Sequence, residues 1–321
     1  MRINRVLLGS LAAAALLIAA CAGSPTPRHA TTVPPVDPPA MTDTAPRNYA
    51  GIHNAVAYHE GFYSGSVPEG EPGFDTLAGM GIKTIISVDG AIPDVDAAKA
   101  RGIRYIHLPI GYNGFDETRK LELTRATRDA LAQGPVYIHC HHGKHRSAGA
   151  AAAVAVSLGW ASPEDSVARM KVSGTAAGYK GLYKCALEST PVAAATLDSV
   201  GADFPAISRP ATFVAQMVEM DEVVEHLKEI EKAGWKAPDN HPDLVPAAEA
   251  GRLADLLRVS TRGTRAANES GEFRTGLDRS AASAQSIEDL LISGQIDTAA
   301  LSARLADLQK SCKDCHQKFR D

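Results

Sequence analysis

The chain has 321 residues, a length for two ordinary domains, and with 45% hydrophobic and 22% charged residues it can bury cores. Its formal net charge of -4, with no long basic stripe, argues against a nucleic-acid binder. Five cysteines are present, and their placement says more than their number.

The first segment, "MRINRVLLGSLAAAALLIAAC", opens with two arginines, continues as an apolar run and ends in small residues before Cys21. That is the pattern of a secretory signal over residues 1–20. The run is shorter than the roughly 20 apolar residues a helical span needs. "IAAC" resembles a bacterial lipobox. The resemblance implies cleavage before Cys21, lipidation of that cysteine, and a chain anchored to a bacterial membrane by lipid, facing the periplasm. Residues 21–47 are rich in Pro, Thr and Ala without an apolar period, and read as an extended tether.

Residues 48–188 alternate short strands and helices. "KTIISV" (Lys83 to Val88), "RYIHLPI" (Arg104 to Ile110) and "PVYIHC" (Pro135 to Cys140) are apolar, β-branched strand candidates. "DVDAAKARG" and "DETRKLELTRATRDALAQG" read as helices between them, and "HRSAGAAAAVAVSLGW" as a buried, alanine-rich helix after the third. The expected fold is α/β, a mostly parallel sheet flanked by helices. Residues 189–210 read as a second linker, with proline, glycine and no clear period.

From residue 211 to 321 strand signals vanish. Four helical stretches follow, near 211–233, 243–268, 274–292 and 297–319. Phe213, Met217, Met220, Val224 and Leu227 share one face of the first; Leu301, Leu305, Leu308, Cys312, Cys315 and Phe319 share one face of the last. That spacing predicts an antiparallel four-helix bundle.

Two clusters carry chemistry. In "YIHCHHGKHRSAG", Cys140 and Arg146 are separated by five residues, where a buried strand gives way to a helix. Backbone N–H groups from His141 through His142, Gly143, Lys144 and His145 to Arg146 can curl around an anion, and the helix beginning near Arg146 adds its positive end. Arg146 can grip two phosphate oxygens at once. The same field favours a Cys140 thiolate, placed to attack phosphorus and form a cysteinyl-phosphate that water then hydrolyses. Ser147 can donate to the sulfur. The histidines are also metal-ligand types, but zinc sites draw paired ligands from separated segments, and Arg146 would repel a cation.

"HCHHGKHRS" resembles the signature loop of the protein tyrosine and dual-specificity phosphatase superfamily, with "HGKHR" closest to its atypical dual-specificity members. "FYSGSVPEGEPGFDTLAGMGIKTIISVDG" and "IRYIHLPIGYNG" are similar to the same group. The resemblance covers roughly residues 50–190. It implies Cys140 as nucleophile, Arg146 as phosphate clamp, and Ser147 and His139 as supports of the thiolate. It also implies a general acid in "GYNGFDE". An acid is expected at Asn113, where an amide stands; Asp116 is the remaining candidate, with Glu117 behind it, and both equally suit the first turn of the next helix. Lys144, His142 and His145 add positive charge, which suits a phosphorylated protein or a small polyphosphorylated molecule.

The second cluster, "CKDCH" at Cys312 to His316, reads as c-type haem attachment: one covalent haem c on Cys312 and Cys315, its iron ligated by His316. No second cysteine pair completes a zinc site. "SCKDCHQKFR" resembles the end of the cytochrome c prime family over residues 211–321. That implies a distal side either empty, open to small gases, or filled from the first helix by Met217 or Met220. It also implies a redox partner and a homodimer through the bundle. Methionines at such positions more often fill the core than ligate. Cys185 reads as a buried structural cysteine, or as a disulfide partner for Cys140. The combined expectation is an exported cysteine phosphatase coupled to a haem domain, or a cytochrome whose phosphatase-like half only binds an anion.

Overall fold

The computed structural model describes residues 33–208, 212–239, 241–242, 244–263, 265–266 and 269–319. The expected export signal (residues 1–20) and the expected lipidation site, Cys21, lie outside these residues. No described helix is long and apolar enough to cross a membrane.

Six strands form one sheet: β1 (Arg47–Tyr49), β2 (Ile52–His59), β3 (Phe62–Gly65), β4 (Thr84–Ser87), β5 (Arg104–His107) and β6 (Val136–His139), in the order β1-β2-β3-β6-β4-β5. β3, β6, β4 and β5 run parallel, whereas β2 pairs antiparallel with both β3 and β1. The sheet is thus mixed, with β2 alone running against the other five strands. The antiparallel part rests on β2 and β3, whose turn runs through Gly61 at φ +73°.

Alternation along the strands divides the core. Ile86, Val88, Ile106, Val136 and Ile138 face one side with α3 (Glu117–Leu131), α4 (Arg146–Ser157), α5 (Pro163–Val172) and α6 (Lys180–Leu187). Ile85, Tyr105 and Tyr137 face the other, towards α1 (Gly70–Gly79) and α2 (Val95–Lys99). Every residue of α4 is buried, because it lies between the sheet and three helices. Its run of alanines lets those neighbours approach: a Cβ on Gly149 would stand 3.0 Å from Leu182 Cβ.

Two segments read from the sequence as linkers are packed on this unit. Pro39 is buried, Val36 N–H donates to Gly79 O, and Arg169 binds the carbonyls of Met41 and Asp43, so residues 33–47 lie on the domain rather than extending as a tether. Residues 189–208 contain α7 (Ala194–Ser199), and beyond it His107 N–H donates to Pro205 O. Single anchors such as Val36, Leu197 and Phe204 hold these segments, and single anchors create no period to read.

Four long helices follow: α8 (Phe213–Lys232), α9 (Pro246–Arg262), α10 (Gly271–Ile292) and α11 (Thr298–Phe319). Each packs on the next, and α11 closes on α8. Met220, Leu227, Leu253, Leu257, Leu277, Ile287, Leu301, Leu305 and Leu308 build their shared core. The start of α9 belongs to the other core: Ala248 is buried among the sheet-side residues and Val245 packs against them.

Candidate active site

The loop from Cys140 to His145 joins the end of β6 to the start of α4, at the carboxyl ends of the parallel strands, where open α/β sheets place their ligands. Its carbonyls are tied outward. Val67 N–H donates to His141 O (3.1 Å), Asn54 Nδ2 to Gly143 O (3.0 Å) and Thr175 Oγ1 to Lys144 O (2.6 Å). In a planar trans peptide the next N–H points the opposite way. The N–H groups of His142, Lys144 and His145 therefore turn towards the inside of the loop. Gly143 makes the turn feasible: its φ is +75°, and a Cβ there would meet Gly65 C at 2.3 Å.

Cys140 is 3% exposed, and its Sγ lies 3.3 Å from Ser147 Oγ on the first turn of α4. Behind it, His139 is fully enclosed. Tyr105 Oη stands 2.6 Å from its Nε2, and its Nδ1 lies 3.2 Å from Cys140 O. Burial pushes His139 down to about 4, so it is a neutral spacer rather than a charge.

Arg146 is 2% exposed and is met by two carboxylates and a phenol. Its Nη1 donates to Asp255 Oδ2 (2.5 Å) and its Nη2 to Tyr112 Oη (2.9 Å), with Asp89 Oδ1 3.6 Å from Nη2. The guanidinium also lies over the Tyr112 ring, 4.2 Å from its centroid. Arg146 Nε is buried with no acceptor among the described residues, a donor left over for an incoming anion. Burial raises Asp89, but Arg146 and Arg258 overcome it and hold that carboxylate low. Asp255 moves the other way: burial, reinforced by the nearby Asp89 charge, outweighs the same two arginines and raises it.

The loop histidines differ in charge. His145 is stacked on Tyr179, centroids 4.0 Å apart, and burial pushes it down to about 3. Burial, then Arg258, brings His141 to about 4. His145 thus does not supply the positive charge that its sequence position suggests. His142 is raised: burial opposes its charge, but Glu288, 3.4 Å from Nδ1, and Asp289, 3.2 Å from Nε2, prevail. Lys144 is half-buried.

Asp116 caps α3. Its Oδ1 accepts from Arg119 N–H at 2.8 Å, while Glu117 pairs with Lys120. Cys185 is a free thiol against the 111–115 turn, where Phe115 N–H donates to its Sγ and the thiol donates to Phe115 O, both at 3.4 Å. Cys140 is likewise free.

On α11, Cys312 and Cys315 are free, half-buried and one turn apart, and burial raises both thiols. Cys315 and Phe319 pack on the bundle core beside Phe273, which also meets Phe213. His316 is exposed on the same turn. Two thiols at an apolar edge with a free imidazole next to them fit a covalently held haem. Met220 is buried in the core and Met217 packs at its edge.

The groups that sequence reading missed are Asp89, Tyr112, Asp255, Arg258 and Glu288. Asp89 and Tyr112 follow β4 and β5 closely, so their strand-end positions were a signal. Asp255 and Glu288 gave none, since a carboxylate on an amphipathic helix reads as a solvated face.

No protein-family model matches the chain, and no curated protein matches it. Solved structures do. One is TpbA of P. aeruginosa, at 19% identity over 43% of this chain and 96% of that one, with a TM-score of 0.32. Another is the core catalytic domain of the PP-IP phosphatase SIW14 of S. cerevisiae, at 19% identity over 44% and 85%, with a TM-score of 0.35. A third is kinase associated phosphatase, at 19% identity over 49% and 99%, with a TM-score of 0.37. The last two are phosphatases by name, and each of the three is spanned almost whole by less than half of the present chain.

Proposed function

We propose that the chain is a phosphate monoester hydrolase working through Cys140, joined to a helical half that carries covalent haem c. The observation that carries the first part is the loop itself. Outward-tied carbonyls leave three N–H groups facing inward, around a cysteine at one end and a buried arginine with a spare Nε at the other. Such a cradle is complementary to a tetrahedral oxyanion.

In the proposed reaction the Cys140 thiolate attacks phosphorus, forming the S–P bond as the bond to the leaving oxygen breaks. An aryl oxygen departs as phenolate and is protonated by solvent. Water then attacks the cysteinyl-phosphate, releasing inorganic phosphate and the thiolate, and Ser147 Oγ donates to the sulfur as it leaves. For a poorer leaving group Asp116 would have to release Arg119 N–H before it could donate a proton. Substrates with acidic leaving groups, such as aryl phosphates and phosphoanhydrides, are therefore favoured. The test is acid quench of the chain mixed with an aryl phosphate: phosphate recovered on the Cys140 peptide supports the reading, and phosphate found on another residue refutes it.

In the haem half, Cys312 and Cys315 would hold the group through thioethers and His316 would ligate its iron, supplying one-electron or gas-binding chemistry. Export and lipid attachment at Cys21 belong to the same proposal. A second reading, a cytochrome with a catalytically silent anion-binding half, is favoured by one observation: Arg146 is already paired with Asp255 and Cys140 is covered. Turnover separates the two.

A further inference from the structure

The reach of Asp255 into the loop is built rather than incidental. Asp255 stands on α9, in the helical half, 109 residues from Arg146. Its Oδ1 is held by Arg258, which also donates to Gln285 Oε1 at 2.6 Å, and this aims Oδ2 at Arg146. Space has been made for the approach. A Cβ on Gly251 would meet Tyr112 Oη at 2.5 Å and Glu288 Oε1 at 2.6 Å, and a Cβ on Gly90 would stand 3.2 Å from Asp255 Cβ. A second carboxylate, Glu288 on α10, engages His142 of the same loop.

A carboxylate oxygen and a phosphate oxygen are the same kind of acceptor for a guanidinium, and one N–H cannot serve both. With Arg146 and Cys140 2% and 3% exposed, neither is open to a phosphate ester in this arrangement. We propose that the helical half is an internal inhibitor of the loop: Asp255 takes the place on Arg146 that a substrate phosphate needs, and turnover requires α9 to withdraw. The inference rests on the reading of the loop as an oxyanion cradle. It gives the union of the two halves a physical purpose, because whatever shifts α9 and α10 sets access to Cys140.

The test uses the haem-loaded chain and its Asp255→Asn and Gly251→Ala variants. The first leaves two guanidinium groups, the buried Arg146 and the half-buried Arg258, with one carboxylate fewer. The second wedges Tyr112 while favouring the helix that bears it. Iodoacetamide labelling of Cys140 is followed by peptide mass spectrometry, beside aryl phosphate turnover, with helicity and haem spectrum checked for each chain. Labelling is expected to accelerate about tenfold or more in both variants, with turnover rising in step. Equal labelling of Cys140 in all three chains, with their folds intact, overturns the inhibitor and leaves the phosphatase reading standing. Faster labelling without turnover in any chain upholds the cover and sinks the phosphatase reading.

Discussion

Asp255 Oδ2 lies 2.5 Å from Arg146 Nη1, so the residue best suited to hold a phosphate is already holding a carboxylate from the other half of the chain. Arg258 and Asp89 complete a buried set of alternating charges around that contact. Breaking one member of such a set costs more than the set contributes, because it strands the remaining charge.

The contact between His142 and Glu288 gives the closed state a pH dependence. His142 is raised above its ordinary 6.5, where burial opposes but Glu288 and Asp289 prevail. Its contribution is full below 6.5 and is lost as pH rises through the higher, seated value. Glu288 is held below its ordinary 4.5: burial acts against this, and the His142 hydrogen bond prevails. Its contribution is present above 4.5 and fades as pH falls through the lower value. The contact is therefore strongest between 4.5 and 6.5 and weakens as pH rises from 6.5 through the raised value of His142. The Cys140 labelling rate of Glu288→Gln divided by that of the unmodified chain cancels the thiol's own titration. The ratio should peak in that window and fall towards one on the alkaline side.

Gly143→Ala should collapse the loop. A left-handed φ and a Cβ 2.3 Å from Gly65 C leave no room for a methyl group against backbone. The expected cost is about 2–4 kcal/mol in denaturant unfolding, with loss of oxyanion binding at the loop.

Asp116 behaves as a helix cap in this structure. Asp116→Asn should leave both stability and aryl phosphate turnover unchanged, since asparagine caps as well as aspartate. Asp116→Ala should cost about 1 kcal/mol of stability and spare that turnover. A large loss of aryl phosphate turnover in Asp116→Asn would instead assign the carboxylate to catalysis.

If Cys312 and Cys315 hold haem as proposed, Cys312→Ala and Cys315→Ala should each remove one thioether. The pyridine haemochrome spectrum would shift accordingly, and the double variant would lose covalent haem. Cys315 packs only at the edge of the bundle core that Leu301, Leu305 and Leu308 build, so helicity should persist.

Much of the α/β half was legible because its signals are local. β4, β5 and β6 lie inside the β-branched stretches chosen for them, and the glycine and arginine of the loop occupy positions whose chemistry is specific. The antiparallel strands β1 to β3 were not read: β1 is three residues long and mostly exposed, and "FYSG" has no β-branched residue. In the bundle the shared face of Leu301, Leu305 and Leu308 was legible as a 3.6-residue period. The Asp255 contact was not, for a general reason. It joins residues far apart in the chain through a side chain whose type is ordinary on a helix surface, and only the docking of α9 makes it exceptional.

The most direct test of the account is aryl phosphate hydrolysis by the haem-loaded chain and its Asp255→Asn variant, each with and without Cys140→Ser. The account predicts slow turnover in the first, faster turnover in the second, and none in either once Cys140 is serine. Turnover that survives Cys140→Ser, or its absence from an Asp255→Asn chain whose Cys140 labels readily, would contradict it.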